Sequence, residues 1–186
     1  MSGIVGSYFN TRGSGVVAKL GSDGQVFTST GAGLSQGFEA APGGGKIGQV
    51  IMAEDKTTRS TTGTTAYSDM SSTLVGVITP SATTSKILVI CSTGFQSSTY
   101  SWSATLYRDI AGGGYTNLTD AGTYNGFVEA AGLAKNIHAT MVYLDSPSTT
   151  SECSYRPYGS IGSALGTLNM NNSNTHGTIT VMEVLA

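Results

Sequence analysis

Eight stretches rich in β-branched and aromatic residues, each of strand length and punctuated by turn signals, limit what this chain can fold into. They cover 47–53, 73–78, 86–95, 100–110, 124–130, 137–144, 151–158 and 177–185. Thr79-Pro80-Ser81, Gly112-Gly113-Gly114, Asp145-Ser146-Pro147 and Asn171-Asn172-Ser173-Asn174 lie between them. Short strands separated by Gly, Pro, Asn and Asp describe an antiparallel sandwich or jelly roll. Trp102, Ala104 and Leu106 alternate with Ser103, Thr105 and Tyr107, as a strand with one buried face requires. The nearest approach to a helical pattern, 129–135, is interrupted by Gly132. The expected fold class is all-β: an antiparallel, jelly-roll-like sandwich head over 46–186, preceded by an extended Gly-rich N-terminal arm over 1–45.

The arm differs in kind from the head. Its apolar residues come as doublets, Ile4-Val5, Tyr8-Phe9, Val16-Val17 and Val26-Phe27, set among Gly, Ser, Asn and Asp. A segment of this length lies near the limit of roughly 40 residues below which chains rarely fold alone. Its doublets therefore need a partner, another copy or a different protein, and Ile4, Val5, Tyr8, Phe9, Val16 and Val17 are the expected docking residues. Asp23-Gly24 reads as a tight turn between Leu20 and Val26-Phe27. Ala41-Pro42-Gly43-Gly44-Gly45 reads as a linker, because glycine carries conformational freedom that a core element would have to lose.

Two strands in the head lack clean alternation. Lys86-Ile87-Leu88-Val89-Ile90-Cys91 is apolar on both faces, and 179–185 is so less cleanly. In a small two-sheet domain such strands need something over their outer face. A loop of the same chain is one cover; a subunit interface is the favoured one, since symmetric oligomers commonly bury such surfaces. Ile87, Leu88, Val89, Ile90, Val181, Met182 and Val184 are the expected interface residues. Cys91 and Cys153 are no disulfide framework; buried structural thiols are expected, with a pairing between them left open.

Several segments carry a family resemblance. The stretch 15–33, from Gly15-Val16-Val17-Ala18-Lys19-Leu20 to Gly31-Ala32-Gly33, resembles a motif of fibre-like proteins of tailed bacteriophages, especially marine ones. Residues 78–89, beginning Ile78-Thr79-Pro80-Ser81, resemble the C-terminal domain of the same family. So do Leu106-Tyr107-Arg108-Asp109, Leu144-Asp145-Ser146-Pro147 and the ending 177–184. The resemblance implies a virion surface protein, usually trimeric, with a jelly-roll-like head and no catalytic residues. Only one Gly-rich unit precedes the head here, where long fibres carry extended stems. The expected function is a trimeric short fibre or adhesin-type appendage, docked to other virion proteins by 1–45 and assembled in the host cytoplasm. The alternative is a capsid decoration (cement) protein.

Composition excludes other classes. Charged residues make up 11% of the chain, against about 25% in ordinary soluble domains, and the net charge is −2, which leaves no footprint for nucleic acid. No apolar run reaches the roughly 18 residues of a membrane span. Met1-Ser2-Gly3-Ile4-Val5 lacks the basic start and long apolar core of a signal peptide. Enzyme motifs fail on inspection. Gly31-Ala32-Gly33-Leu34-Ser35-Gln36-Gly37 has one residue too many for a dinucleotide fingerprint, and Gly43-Gly44-Gly45-Lys46 lacks the rest of a phosphate loop. His138 and His176 stand in unrelated contexts. Glu54 and Asp55 are neighbours on a strand and face opposite ways, and Asp109 beside Arg108 reads as an ion pair or turn former. No enzyme activity, cofactor or metal is expected. Tyr and Asn collect in the loops, and together they offer apolar faces, donors and acceptors. Tyr115, Asn117, Tyr124, Asn125, Asn171 and Asn172 are therefore the candidate contacts to a host surface polysaccharide or protein, with turn formation as their plainer role.

Overall fold

A computed structural model describes residues 25–28, 37–40, 46–63, 66–97, 100–119, 127–130, 135–172 and 175–185. The chain forms two compact units, Met1–Gly45 and Lys46–Ala186. In the first, β1 (Gln25–Thr28) pairs antiparallel with β2 (Gly37–Ala40), Val26 opposite Glu39. This pairing satisfies one edge of each of the two strands. The docking residues Ile4, Val5, Tyr8, Phe9, Val16 and Val17, and the Asp23-Gly24 turn, lie outside the described residues.

The second unit is all-β, with no helix among the described residues. Its strands are β3 (Ile47–Asp55), β4 (Arg59–Thr62), β5 (Ser68–Asp69), β6 (Gly76–Ile78), β7 (Lys86–Ser97), β8 (Trp102–Ile110), β9 (Thr116–Asn117), β10 (Val128–Ala130), β11 (Lys135–Asp145), β12 (Cys153–Ile161), β13 (Thr167–Met170) and β14 (Gly177–Val184). One sheet, here sheet I, places β3, β14, β7 and β11 side by side, with β13 and β4 continuing beyond β14 and β3. Sheet II places β6 and β5 on β12, then β8, then β10 and β9. Taken in chain order, the first long strand lies beside the last in sheet I, and β12 joins β6 to β8 in sheet II. That is a jelly roll.

Alternation explains the layering. On β7, Ile87, Val89, Cys91 and Phe95 are fully buried; on β14, Ile179 and Val181 are; on β8, Trp102, Ala104 and Leu106 are. Phe95 of sheet I meets Trp102 of sheet II with ring centroids 5.2 Å apart. Two glycines let the layers close. A Cβ on Gly76 would come within 2.6 Å of Val181, and one on Gly159 within 2.6 Å of Leu168. Cys91 and Cys153 are free and buried in this core, and burial pushes the Cys91 thiol up to about 12.

Polar groups tie the ends of the sandwich. The chain leaves β13 and enters β14 along one edge of β7, turning at Asn171, whose φ of 56° is left-handed. Its amide donates to the Asp55 carbonyl (2.8 Å) and accepts from Thr93 Oγ1 (2.7 Å). Asp55 accepts from Ser71 Oγ (2.6 Å), Thr73 Oγ1 (2.8 Å), Arg59 Nε (3.0 Å) and the Thr57 amide (2.8 Å). Burial opposes its charge, but these donors outweigh it and hold the carboxyl well below the usual carboxylate range. At the other end Arg108 Nη1 reaches both oxygens of Asp145 (2.8 and 2.9 Å), and Tyr155 OH donates to the same carboxylate (2.8 Å). Asp145 is therefore a buried tie between sheets, beyond the turn role read from its sequence. Asp109 is the turn former of its pair: Oδ1 accepts from the Gly114 amide (2.9 Å), closing a loop in which Ala111, Gly112 and Gly114 have positive φ.

The Asp55 carboxyl predicts a pH dependence. A depressed folded pKa contributes stability that is complete above the unfolded value, near pH 4, and is lost as pH falls toward the folded one. Denaturant titrations should show the wild-type head weakening below about pH 4. Asp55→Asn should lower stability at pH 7 by roughly 2–4 kcal/mol, from the orphaned donors, and make the acid decline shallower. An unchanged acid limb would place the titration elsewhere.

Candidate functional site

The two outward faces of the sandwich carry different chemistry. On sheet II the inward row of β8 is apolar, so Ser103, Thr105, Tyr107 and Asp109 point outward; Ser154, Arg156, Tyr158 and Ser160 do the same on β12. Tyrosines from four separate stretches gather over this face. Tyr107 and Tyr158 stack at 3.9 Å between centroids, Tyr115 lies 5.8 Å from Tyr158, and Tyr67 lies 6.2 Å from Tyr107. The Arg156 guanidinium sits 4.5 Å over the Tyr115 ring while its Nη1 holds Asp69 Oδ2 at 2.7 Å. Tyr67 hydroxyl and Ser103 Oγ are hydrogen-bonded beneath. Tyr67 over Ser103, and Asn117 with Thr119 over Thr105, account for these two residues being fully buried on a face that points away from the core.

Burial, first of all, raises the phenols of Tyr107, Tyr115 and Tyr158, the last to about 12. All three are neutral hydroxyls at physiological pH, able to donate and to accept. The chemistry on offer is aromatic edges, phenolic hydroxyls and an Arg–Asp pair, suited to binding polar ligands. Four carboxylates elsewhere are engaged: Asp55 and Asp145 as above, Glu54 with Lys56 at 3.0 Å, and Glu183 with the Ser81 amide and hydroxyl, both at 2.6 Å.

On sheet I the outward face is aliphatic. Val50, Met182, Leu88 and Leu144 stand in register across β3, β14, β7 and β11, and Met52, Thr180, Ile90 and Val142 form the next row. Val50, Met52, Val142 and Leu144 are 48–64% exposed, whereas Leu88, Ile90 and Met182 between them are half-buried. Monomeric proteins rarely expose a contiguous apolar patch of more than a few hundred Å².

The sequence-derived residues divide accordingly. Tyr115 belongs to the tyrosine layer. Asn117 sits beside Tyr107 in the β8–β9 ladder, with Oδ1 accepting from Thr105 Oγ1 and from the amide and hydroxyl of Thr119. Asn171 is 1% exposed and committed to the Asp55 turn, so it presents nothing to a receptor. Asn172 is half-buried and donates to Gln96 Oε1. Tyr124 and Asn125 lie outside the described residues. Of the expected interface set, Ile87, Val89 and Val181 belong to the core, because alternation turns them inward; Leu88, Ile90, Met182 and Val184 face outward. Val50, Met52, Val142 and Leu144 complete that outer face; their outward registers in β3 and β11 were the available signal. Tyr67, Tyr107, Tyr158 and Arg156 had no comparable signal, since only strand pairing brings them together. His138 and His176, in unrelated contexts along the chain, line one pocket. Among the described residues no three His, Cys, Asp or Glu side chains are grouped as metal ligands.

Alkaline titration checks the tyrosine layer. The late-ionising phenols should titrate clearly above the ordinary value of about 10, and Tyr158→Phe should remove one phenol from that late group. Loss of an early-ionising phenol instead would contradict the burial of Tyr158.

No protein-family model and no curated protein matches the chain. Among solved structures it is similar to one of infectious bursal disease virus Gt strain, with a TM-score of 0.37 and 13% identity over 86% of this chain and 42% of that one. A mutant VP2 protein of infectious bursal disease virus, from T=1 particles, gives 0.38 and 12% over 86% and 40%. The Gx strain gives 0.36 and 12% over 87% and 42%. The chain spans less than half the length of each, and at these scores the likeness bears on neither function nor partners.

Proposed function

We propose that this chain is a structural protein of a tailed-phage virion: a trimeric short fibre or adhesin-type appendage at the virion surface. Residues 1–45 dock it to other virion proteins, and the sandwich meets the host surface. The single observation that carries this reading is the aliphatic outer face of sheet I. Exposed Val50, Met52, Val142 and Leu144 flank half-buried Leu88, Ile90 and Met182 across four strands. A second copy of the chain removes this surface from water, at roughly 25 cal/mol per Å² of apolar area. The trimeric state and the phage setting come from the family resemblance at 15–33, 78–89 and 177–184. With sheet I turned toward its copies, sheet II and its tyrosine layer are left to face outward, and recognition falls to Tyr115 and its neighbours.

Sedimentation tests the assembly. The full chain should run as a trimer at micromolar concentration, and Met52→Glu with Leu144→Lys should shift it to monomer with the melting temperature of the isolated head retained. A monodisperse wild-type monomer would sink the reading. Recognition is tested separately. Tyr115→Ala should weaken attachment to cells or isolated surface polysaccharide five- to thirty-fold, about 1–2 kcal/mol for one such contact. A wild-type protein that binds no host surface yet stabilises phage heads against heat would instead be a capsid decoration protein.

A further inference from the structure

The chain has two histidines, and the fold delivers both to one place. His138 is opposite Gly94 in the β11–β7 ladder. On the other edge of β7, Thr178 is opposite Ser92. Two residues further along that antiparallel register, His176 reaches the level of Gly94 from the opposite side. Both positions share the parity of the outward residues of sheet I, and both side chains are exposed. Between them lies Gly94, with the Thr175 side chain packed over it: a Cβ on Gly94 would come within 2.9 Å of Thr175 Oγ1. The resulting pocket, about 350 Å³, is lined by Ser92, His138, Thr175, His176 and Thr178.

We propose that His138 and His176 form a binding site for a divalent late-transition-metal ion. Two strands flanking a third stand about 10 Å apart, and imidazoles reaching in from both sides of the Thr175 side chain can share an ion at about 2.0–2.1 Å from each ring nitrogen. Ser92 Oγ lies 3.4 Å from His138 Nδ1 and 3.0 Å from Thr140 Oγ1, so His138 is steadied through Nδ1 and keeps Nε2 for the ion. Such a partner on the non-ligating nitrogen is the usual support of a metal-bound imidazole. The donor set selects the metal. Imidazole suits zinc, nickel and copper, whereas calcium and magnesium want carboxylate oxygens. The carboxylate nearest in register, Glu54 opposite Thr178, is ion-paired with Lys56 at 3.0 Å. Water fills the remaining coordination positions, so the site is open and of moderate affinity.

Calorimetric titration of the full chain with Ni²⁺ or Zn²⁺ alone tests this. One ion per chain should bind in the micromolar range. His138→Gln and His176→Gln should each weaken binding by about tenfold or more, the double variant little further, because either change breaks the chelate. Two equivalent weak sites, each removed by one substitution, would overturn the proposal, as would no binding below millimolar. In the native protein, imidazole NMR signals of both histidines should shift together along one Zn²⁺ titration curve. Movement of only one would overturn it equally. The site shares the outer face of sheet I with the proposed assembly surface, so the titration is repeated on the Met52→Glu, Leu144→Lys variant; neither outcome depends on the host-recognition reading.

Discussion

Strand β7 is the constraint on which the rest of the head depends. It is paired along one edge with β11 from Ile87 to Ser97, and along the other with β14 and then β13. Both edges are therefore satisfied by partners distant in sequence, and none of its buried backbone is left to water. Its inward row, Ile87, Val89, Cys91 and Phe95, is fully buried and meets sheet II through Trp102. Because side chains alternate with a period of two, fixing that row inward fixes Leu88, Ile90 and Ser92 outward. The registers of β14 and β11 then decide which residues join them. A one-residue slip on either partner would bury Thr180 or Thr140 and expose Ile179 or Ala139.

Buried charge is used at the ends of this sandwich to settle geometry. Asp55 gathers Arg59, Ser71, Thr73 and Thr57 beside the Asn171 turn, and Asp145 joins Arg108 and Tyr155 across the two sheets. A desolvated carboxylate is costly unless its lone pairs are met, and each of these is met by several donors. Such a group admits few alternative arrangements of the loops that supply the donors. The same commitment is why these carboxylates offer nothing to chemistry.

The two outer faces differ in chemistry. The sheet I face is apolar over β3, β14, β7 and β11 and becomes polar toward Ser92, Thr140, His138 and His176. The sheet II face is sealed by tyrosines that stack on one another and on Arg156. Aliphatic surface favours a matching aliphatic partner without direction, whereas phenols and an Arg–Asp pair impose direction through hydrogen bonds. The proposed function rests on that difference, with assembly on one face and recognition on the other.

Much of the fold was legible along the chain. The runs at 47–53, 86–95, 100–110, 137–144, 151–158 and 177–185 became β3, β7, β8, β11, β12 and β14 with shifts of a few residues at their ends. Period-two alternation and turn residues are local properties, and they determined an all-β sandwich and the inward row of β8 without reference to any partner. The short strands β4, β5, β9 and β13 were not legible: β4, β5 and β9 are mostly Ser, Thr, Asn and Asp, and β13 alternates Thr167 and Asn169 with Leu168 and Met170 over only four residues, so each becomes strand only when a neighbouring ladder pairs it. The 86–91 run showed apolar character on both sides but not which side was core. Tertiary structure decided that Ile87 and Val89 are interior, that Asn171 is a buried turn, that four tyrosines form one layer, and that two distant histidines line one pocket. These outcomes rest on long-range strand pairing, and the identity of a strand's neighbour is not written within the strand itself.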